Sequence, residues 1–144
     1  FNCNVLVYDI DISEITLESS SMKSASLERL LKNSDVVSLH LPLNKDTAMI
    51  INKSRFEMMQ QHAILINLSR GGLVDEEALK QALISEQIAG AAFDVFEEEP
   101  PQDTKLLNCK NLLATPHIGG LAKESILAMG HAAISGLDTN FLPE

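Results

Sequence analysis

Five short apolar runs recur along the chain, and segments with helical spacing separate them. The apolar runs are NVLVYDI (4–10), DVVSLHLPL (35–43), HAILINL (62–68), GAAFDVF (90–96) and NLLATP (111–116). They are nearly continuous rather than strictly alternating, which is typical of strands that are covered on both faces of a sheet. The pattern therefore predicts five buried β-strands.

Helical patterns lie between these strands, and one more follows the last of them. They cover 27–33, 53–61, 75–88 and about 122–137. In the third pattern, Asp75 is a plausible N-cap, and Glu76 and Glu77 favour the positive end of the helix dipole. Strands that alternate with helices through short connections indicate βαβ units and a parallel sheet. Because the chain is too short for an eight-stranded barrel, we expect an α/β fold with a doubly wound parallel sheet.

Composition and charge narrow the class of protein. At 144 residues the chain is long enough for one domain, and no apolar run approaches the roughly 18 residues of a membrane span. A net charge of −9 with no cluster of lysines and arginines argues against a nucleic-acid surface. Cys3 and Cys109 lie far apart and fit no metal-binding or redox spacing. They favour buried, reduced thiols in a cytoplasmic protein without a metal site.

Polar residues and glycines follow each predicted strand at its carboxyl end. They are Asp9 after the first, His40 and Pro42 after the second, Asn67, Ser69, Arg70, Gly71 and Gly72 after the third, Asp94 after the fourth, and His117, Gly119 and Gly120 after the last. In open α/β sheets, ligands bind outside the carboxyl ends of the strands. The pattern therefore predicts a ligand site along this one edge.

Each of these residues also has a plainer interpretation. Asp9 either starts a turn or binds the hydroxyls of a ribose. Arg70 is either a surface cation or, given its flanking glycines, a ligand-binding group. Glu99, held beside Pro100, is a candidate partner for a histidine, and His117 precedes a Gly-Gly pair. Asp94 interrupts an apolar strand, where an unpaired charge would cost several kcal/mol, so it requires a partner or a ligand.

Four segments together resemble a known family. HLPL (40–43), NLSRGGLVDEEAL (67–79), GAAFDVFEEEP (90–100) and ATPHIGG (114–120) are similar to the signature blocks of the D-isomer-specific 2-hydroxyacid dehydrogenases. The phosphoglycerate dehydrogenase branch is the most similar. The resemblance runs from Asp9 to the last helix, with the blocks in the family's order and spacing. It implies a Rossmann-like fold and an NAD-dependent oxidoreductase that interconverts D-2-hydroxy acids and 2-oxo acids.

The resemblance also implies roles for three catalytic residues. Arg70 would bind the substrate carboxylate and polarise the carbonyl at C2, because a planar guanidinium matches a carboxylate. His117 would act as general acid and base at the substrate oxygen, an effect that is typically worth about 10²–10⁴-fold. Glu99 would bind the other ring nitrogen of His117 and fix its tautomer.

The cofactor side carries over in the same way. Asp9 resembles the acid that binds the adenosine ribose, and its charge would favour NAD over NADP. The other implied cofactor contacts are Leu41 and Pro42 beside the adenine, Leu68, Ser69, Arg70 and His117 around the nicotinamide half, Asp94 at the nicotinamide carboxamide, and Gly119 and Gly120 at close backbone approaches. No metal is implied.

The sequence departs from the family pattern in two respects. The Gly-rich turn that cradles the pyrophosphate is absent, together with the first strand of the sheet that precedes it. The substrate-binding domain is absent as well. We therefore expect residues 1–144 to form a partial dinucleotide-binding domain, a Rossmann-like doubly wound sheet that is incomplete.

This incompleteness leads to further expectations. A sheet without its central strand exposes strand edges, so we expect a homodimer or an oligomer that pairs through these edges. We also expect little activity from the chain alone, because the absent domain would close the site around a small 2-hydroxy or 2-oxo acid. An alternative function is an NAD-sensing scaffold like the corepressors of this fold, which retain a similar arginine, glutamate and histidine.

Overall fold

The structure is a computed structural model that describes residues 3–9 and 22–139. Its elements, in chain order, are β1 Val5–Val7, β2 Met22–Ser24, α1 Leu27–Asn33, β3 Val36–Leu39, α2 Lys53–Phe56, β4 Ile64–Asn67, α3 Glu76–Ile84, β5 Gly90–Phe93, α4 Thr104–Leu107, β6 Leu112–Ala114 and α5 Lys123–Thr139. From β2 onward, strands and helices alternate as the sequence pattern predicts. None of the described helices has the length and hydropathy needed to cross a membrane.

The strands form two parallel sheets. One is four-stranded, in the order β3-β4-β5-β6, and the other pairs β1 only with β2. In the larger sheet the register places Leu39 beside Asn67, and Asn67 beside Phe93. The carboxyl ends of these strands therefore meet at one edge, which confirms the predicted α/β fold with a parallel sheet.

Two elements have no counterpart among the sequence predictions. Strand β2 is only three residues long and carries an exposed lysine, so it has no apolar run to reveal it. Helix α4 is a single turn that begins where Asp103 accepts hydrogen bonds from the N–H groups of Lys105 and Leu106, at 2.9 and 3.1 Å. Such short elements depend on capping and pairing rather than on a periodic apolar face.

The predicted helix over 53–61 forms only in its first half. After Phe56 the N–H of Met58 bonds to the carbonyl of Arg55, and the N–H of Met59 bonds to that of Phe56. Each of these hydrogen bonds joins residues three positions apart, as in tight turns and 3₁₀-helix, rather than four positions apart as in an α-helix. By contrast, Asp75 caps α3 as expected, because its carboxylate accepts the N–H of Ala78 at 3.0 Å.

The core lies on one face of the four-stranded sheet. Alternate strand residues such as Leu65 and Phe93 are buried there, in a cluster that also contains Leu31 of α1, Phe56 of α2, Leu79 and Leu83 of α3 and Leu106 of α4. On the opposite face, Val36, Ile64 and Leu113 are 53%, 41% and 65% exposed. The apolar runs predict cover on both faces, but the described residues cover only one.

Candidate active site

A cavity of about 420 Å³ lies at the carboxyl ends of the strands. It brings together the three predicted catalytic residues, Arg70, Glu99 and His117, which arrive from three different loops. The rest of its lining is Leu43, Ala48, Met49, Gly71, Gly72, Val95, Phe96 and Glu97. The lining of the cavity therefore combines charged and apolar side chains.

The loop that carries Arg70 is held by a buried asparagine. Asn67, the last residue of β4, is fully buried; its Nδ2 donates to the carbonyl of Arg70 at 2.9 Å, and its Oδ1 accepts the N–H of Ser69 at 3.2 Å. The hydroxyl of Ser69 donates to the carbonyl of Leu41 at 2.7 Å. These bonds fix the backbone and leave the Arg70 side chain exposed, with Nη1 donating to the carbonyl of Ser69 at 2.7 Å.

Glu99 and His117 form a direct pair. Nδ1 of His117 lies 2.8 Å from Oε2 of Glu99, and Oε1 of Glu99 accepts the N–H of Phe96 at 3.1 Å. The hydrogen bond with His117, followed by that from Phe96, holds the pKa of the Glu99 carboxyl below its ordinary value. An ionised Glu99 accepts a hydrogen bond from the protonated Nδ1 of His117, which leaves Nε2 as the ring nitrogen available for proton transfer.

Asp94 is buried directly after β5, with 3% of its surface exposed. Its Oδ1 accepts the hydroxyl of Thr115 and the N–H of Ile118, the latter at 2.9 Å, and its Oδ2 accepts the N–H of Gly119 at 2.7 Å. The bond from Thr115 contributes most to lowering the pKa of Asp94; burial raises it, but the net shift is downward. The chain itself thus supplies the partners that this buried carboxylate requires.

The glycine after Arg70 allows two loops to touch. A Cβ atom added to Gly71 would lie 1.9 Å from the carbonyl oxygen of Phe96 and 2.5 Å from the N atom of Glu97. No side chain fits in this space, because both atoms belong to the backbone. Gly71 therefore sets the distance between the loop of Arg70 and the turn that carries Glu99.

The apolar side of the cavity was not foreseen from the sequence. Met49 lines it with φ of 49°, a left-handed conformation that is uncommon for a non-glycine residue, and is 50% exposed. Its N–H donates to the carbonyl of Gly72 at 2.8 Å. The contact joins segments more than twenty residues apart, so no local pattern could have revealed it. The buried Asn67 stood out only as one polar residue among several at the sheet edge.

The predicted cofactor residues do not all lie at this cavity. Asp9 follows β1, in the two-stranded sheet, and does not line it. Leu68 and Ile118, which are 59% and 48% exposed, present apolar surface next to the loops of Arg70 and His117. Gly120 has open space where a Cβ atom would lie. No group of histidine, cysteine and acidic side chains suited to a metal ion occurs within 3–9 and 22–139.

We expect Gly71→Ala to destabilise the protein through the contact with Phe96. Overpacking of this kind typically costs about 1–3 kcal/mol in the free energy of unfolding. Gly120→Ala is the matched control, since its Cβ meets nothing within 4 Å, and we expect a change of at most about 0.5 kcal/mol. Urea denaturation of both variants measures the difference. Equal stabilities would contradict the close approach of the two loops.

The pair of Glu99 and His117 predicts a pH dependence. Because the pKa of Glu99 is lowered on folding, its contribution to stability is present above the unfolded pKa of about 4.3 and is lost as the pH falls through the folded pKa. We expect Glu99→Gln to reduce the free energy of unfolding near neutral pH, and the difference from wild type to shrink below about pH 4.3. Glu98→Gln, an exposed neighbour in the same turn, is the control. A difference that stays constant with pH would contradict the ionised pair.

Residues 1–119 match the family model described as D-isomer specific 2-hydroxyacid dehydrogenase, NAD binding domain. The D-3-phosphoglycerate dehydrogenase of Archaeoglobus fulgidus is 41% identical over 128 residues, which cover 88% of this chain and 24% of that protein. The hydroxypyruvate reductase of Thermotoga maritima is 39% identical over 133 residues, which cover 90% of this chain and 42% of that protein. This chain thus spans less than half the length of either relative.

Solved structures are similar over nearly all of the chain. A glyoxylate reductase from Paecilomyes thermophila has a TM-score of 0.86 and 34% identity, covering 94% of this chain and 41% of that one. An NAD-complexed D-isomer specific 2-hydroxyacid dehydrogenase from Lactobacillus delbrueckii ssp. bulgaricus has a TM-score of 0.83 and 31% identity, covering 92% and 44%. With the four signature blocks and the parallel Rossmann-type sheet, these similarities place the chain in the D-isomer-specific 2-hydroxyacid dehydrogenase family, within its NAD-binding domain.

Proposed function

We propose that this chain provides the dinucleotide-binding part of an NAD-dependent oxidoreductase that interconverts a D-2-hydroxy acid and a 2-oxo acid. The observation that supports the proposal is one cavity in which Arg70 and the pair of Glu99 and His117 meet. A cation for a carboxylate and an oriented imidazole for proton transfer are the groups that this chemistry needs. The relatives compared above are dehydrogenases and reductases, which favours this function over an NAD-sensing scaffold.

Arg70 binds and polarises the substrate in this proposal. It is the one arginine or lysine that lines the cavity in the described part of the chain. Its exposed guanidinium can take the substrate carboxylate with two parallel hydrogen bonds and also polarise the neighbouring C2 carbonyl. The buried bonds of Asn67 hold the backbone of Arg70, so the loop does not need to be ordered when the substrate arrives.

His117 moves the proton. On reduction of the 2-oxo acid, Nε2 donates a proton to the carbonyl oxygen, and on oxidation it takes the hydroxyl proton. Glu99 holds Nδ1 and stabilises the imidazolium that forms when Nε2 accepts a proton. NAD supplies the hydride acceptor for oxidation, and NADH supplies the hydride for reduction.

The residues around Asp94 fit the nicotinamide half of the cofactor. The carboxylate has about four positions for hydrogen-bond donors, and the chain fills three of them. The fourth can accept the amide N–H of a nicotinamide, and the exposed side chains of Leu68 and Ile118 offer it apolar surface. Asp9 would bind the adenosine ribose, and Leu41, Pro42, Ser69, Gly119 and Gly120 would form the remaining wall.

The domain organisation is also part of the proposal. We assign residues 1–144 to a partial dinucleotide-binding domain, with the substrate-binding domain outside this chain, because residues 1–119 match an NAD binding domain and the chain covers less than half of its relatives. The chain alone then has little turnover, since closure around a small 2-hydroxy acid requires the other domain. Cys3 is exposed and Cys109 is half-buried, so the prediction that both thiols are buried is wrong. Both are free, which supports a cytoplasmic location.

A fluorescence titration with NADH and NADPH tests the cofactor assignment. We expect saturable binding of NADH and weaker binding of NADPH by the wild-type chain, and a smaller difference between them in Asp9→Asn, which lacks the repelling charge. Asp35→Asn, an exposed acid just before the first residue of β3, leaves the preference unchanged. Absence of saturable NADH binding would contradict the NAD site. Rapid NADH oxidation with hydroxypyruvate by this chain would contradict its low activity alone.

The open sheet face supports a proposal about assembly. We propose that copies of the chain associate through exposed strand edges and the apolar residues beside them, such as Val36 on β3 and Leu113 on β6. Val36→Lys places a charge on the edge strand and is expected to shift sedimentation towards the monomer. Ile84→Lys, at an equally exposed position on α3, is the control. A monodisperse wild-type monomer would contradict the association.

A further inference from the structure

The bonds of Asp94 all converge on the loop that carries His117. The Thr115 hydroxyl lies two residues before the histidine, and the N–H groups of Ile118 and Gly119 lie one and two residues after it. The carboxylate is thus hydrogen-bonded to the loop on both sides of His117, and none of these three bonds goes to the imidazole. The N–H of Thr115 also bonds to the carbonyl of Phe93, so the start of the loop continues the ladder of β5.

The hydrogen bonds of Asp94 stabilise an unusual backbone conformation in this loop. His117 has φ of 52°, in the left-handed region that a residue with a Cβ atom seldom occupies. Strained conformations of this kind persist only where the surroundings over-determine them. The pairing of Nδ1 with Glu99 cannot do this alone, because both side chains are partly exposed, at 51% and 38%.

We propose that Asp94 is a positioning residue for His117. Its buried carboxylate fixes the 115–119 backbone in the conformation that directs Nδ1 to Glu99 and leaves Nε2 to the cavity. The orientation of the His117 imidazole does not depend on catalysis. That this orientation serves proton transfer rests on the proposed function. Asp94 therefore has a task beyond any contact with the cofactor, and it performs that task in the protein without ligands.

Gly119 adds an independent geometric reason for the same assignment. A Cβ atom at this position would lie 2.9 Å from Oδ2 of Asp94, closer than real Cβ atoms approach an oxygen. The loop therefore approaches the carboxylate as closely as a backbone without a side chain permits. A substitution at either end of this contact moves the loop, and with it the imidazole of His117.

The test is a ¹⁵N NMR measurement of the histidine rings at mildly alkaline pH, which reports the ring nitrogen that carries the proton. In the wild-type chain we expect His117 to carry its proton on Nδ1, as the bond to Glu99 requires. In Asp94→Asn the side chain has one accepting oxygen and an NH₂ group that donates. It can therefore replace either Oδ1, which accepts from Thr115 and Ile118, or Oδ2, which accepts from Gly119, but not both. We expect loss of the Nδ1–H signal of His117 while the fold persists.

Three further variants make the result decisive. Thr115→Val removes one donor and leaves the two N–H bonds, so a partial loss is expected, whereas Glu99→Gln removes the direct partner. Asp35→Asn is the matched control: it alters the signal of His62, its partner at 2.7 Å, and leaves His117 unchanged. Should Asp94→Asn fail to fold, Thr115→Val decides the matter.

A folded Asp94→Asn variant that keeps the Nδ1–H signal, or an unchanged signal in Thr115→Val, would overturn the proposal. A merely structural role would lower the stability and leave the His117 signal of the folded protein as it was. The measurement uses no cofactor or substrate. A failure to bind NADH would therefore refute the proposed function and leave the positioning role of Asp94 intact. Conversely, NADH binding with an unchanged His117 signal in Asp94→Asn would refute the positioning role alone.

Discussion

A buried polar side chain lies at the carboxyl end of each of the two central strands of the larger sheet. The hydrogen bonds of these two side chains hold the loops that form the site. Asn67 closes β4 and Asp94 follows β5, and the N–H of Asp94 bonds to the carbonyl of Asn67 at 3.1 Å. A buried polar group without partners costs about 1–3 kcal/mol. Each side chain therefore has to bind the loop that follows a strand, and these loops carry Arg70 and His117. Because these two buried polar groups must form hydrogen bonds, the loops that carry Arg70 and His117 have fixed positions at the surface.

The side chains proposed to react with the substrate are exposed, and the two side chains that hold their loops are buried. Arg70, Glu99 and His117 are exposed, whereas Asn67 and Asp94, which hold the loops of Arg70 and His117, are buried. This division lets a ligand reach the charges while the backbone beneath them keeps its shape. Gly71 adds the third constraint, because the absence of its Cβ atom allows the loop of Arg70 to lie directly on the backbone of Phe96.

Much of this arrangement could be predicted from sequence, because strand ends carry a local signal. A polar residue or glycine after each apolar run placed Arg70, Asp94 and His117 at one edge, and the parallel sheet does bring those ends together. The contacts between loops could not be predicted. The approach of Met49 to Gly72 and of Gly71 to Phe96 joins residues more than twenty positions apart. The short β2 and α4 were missed because neither has a periodic apolar face.

The separation of β1 and β2 from the other strands sets a gradient of local order. Each of these strands pairs over three residues, and within the described chain neither joins the larger sheet. An isolated two-stranded hairpin is marginally stable in water. We therefore expect the amides of β1 and β2 to exchange with solvent through local opening that leaves β3 to β6 intact. Asp9 follows β1, while the proton-transfer pair rests on the four-stranded sheet. If the adenosine of the proposed cofactor binds at Asp9, ordering of β1 and β2 would lower its affinity. The nicotinamide of the same cofactor would bind beside the four-stranded sheet, where less ordering is needed.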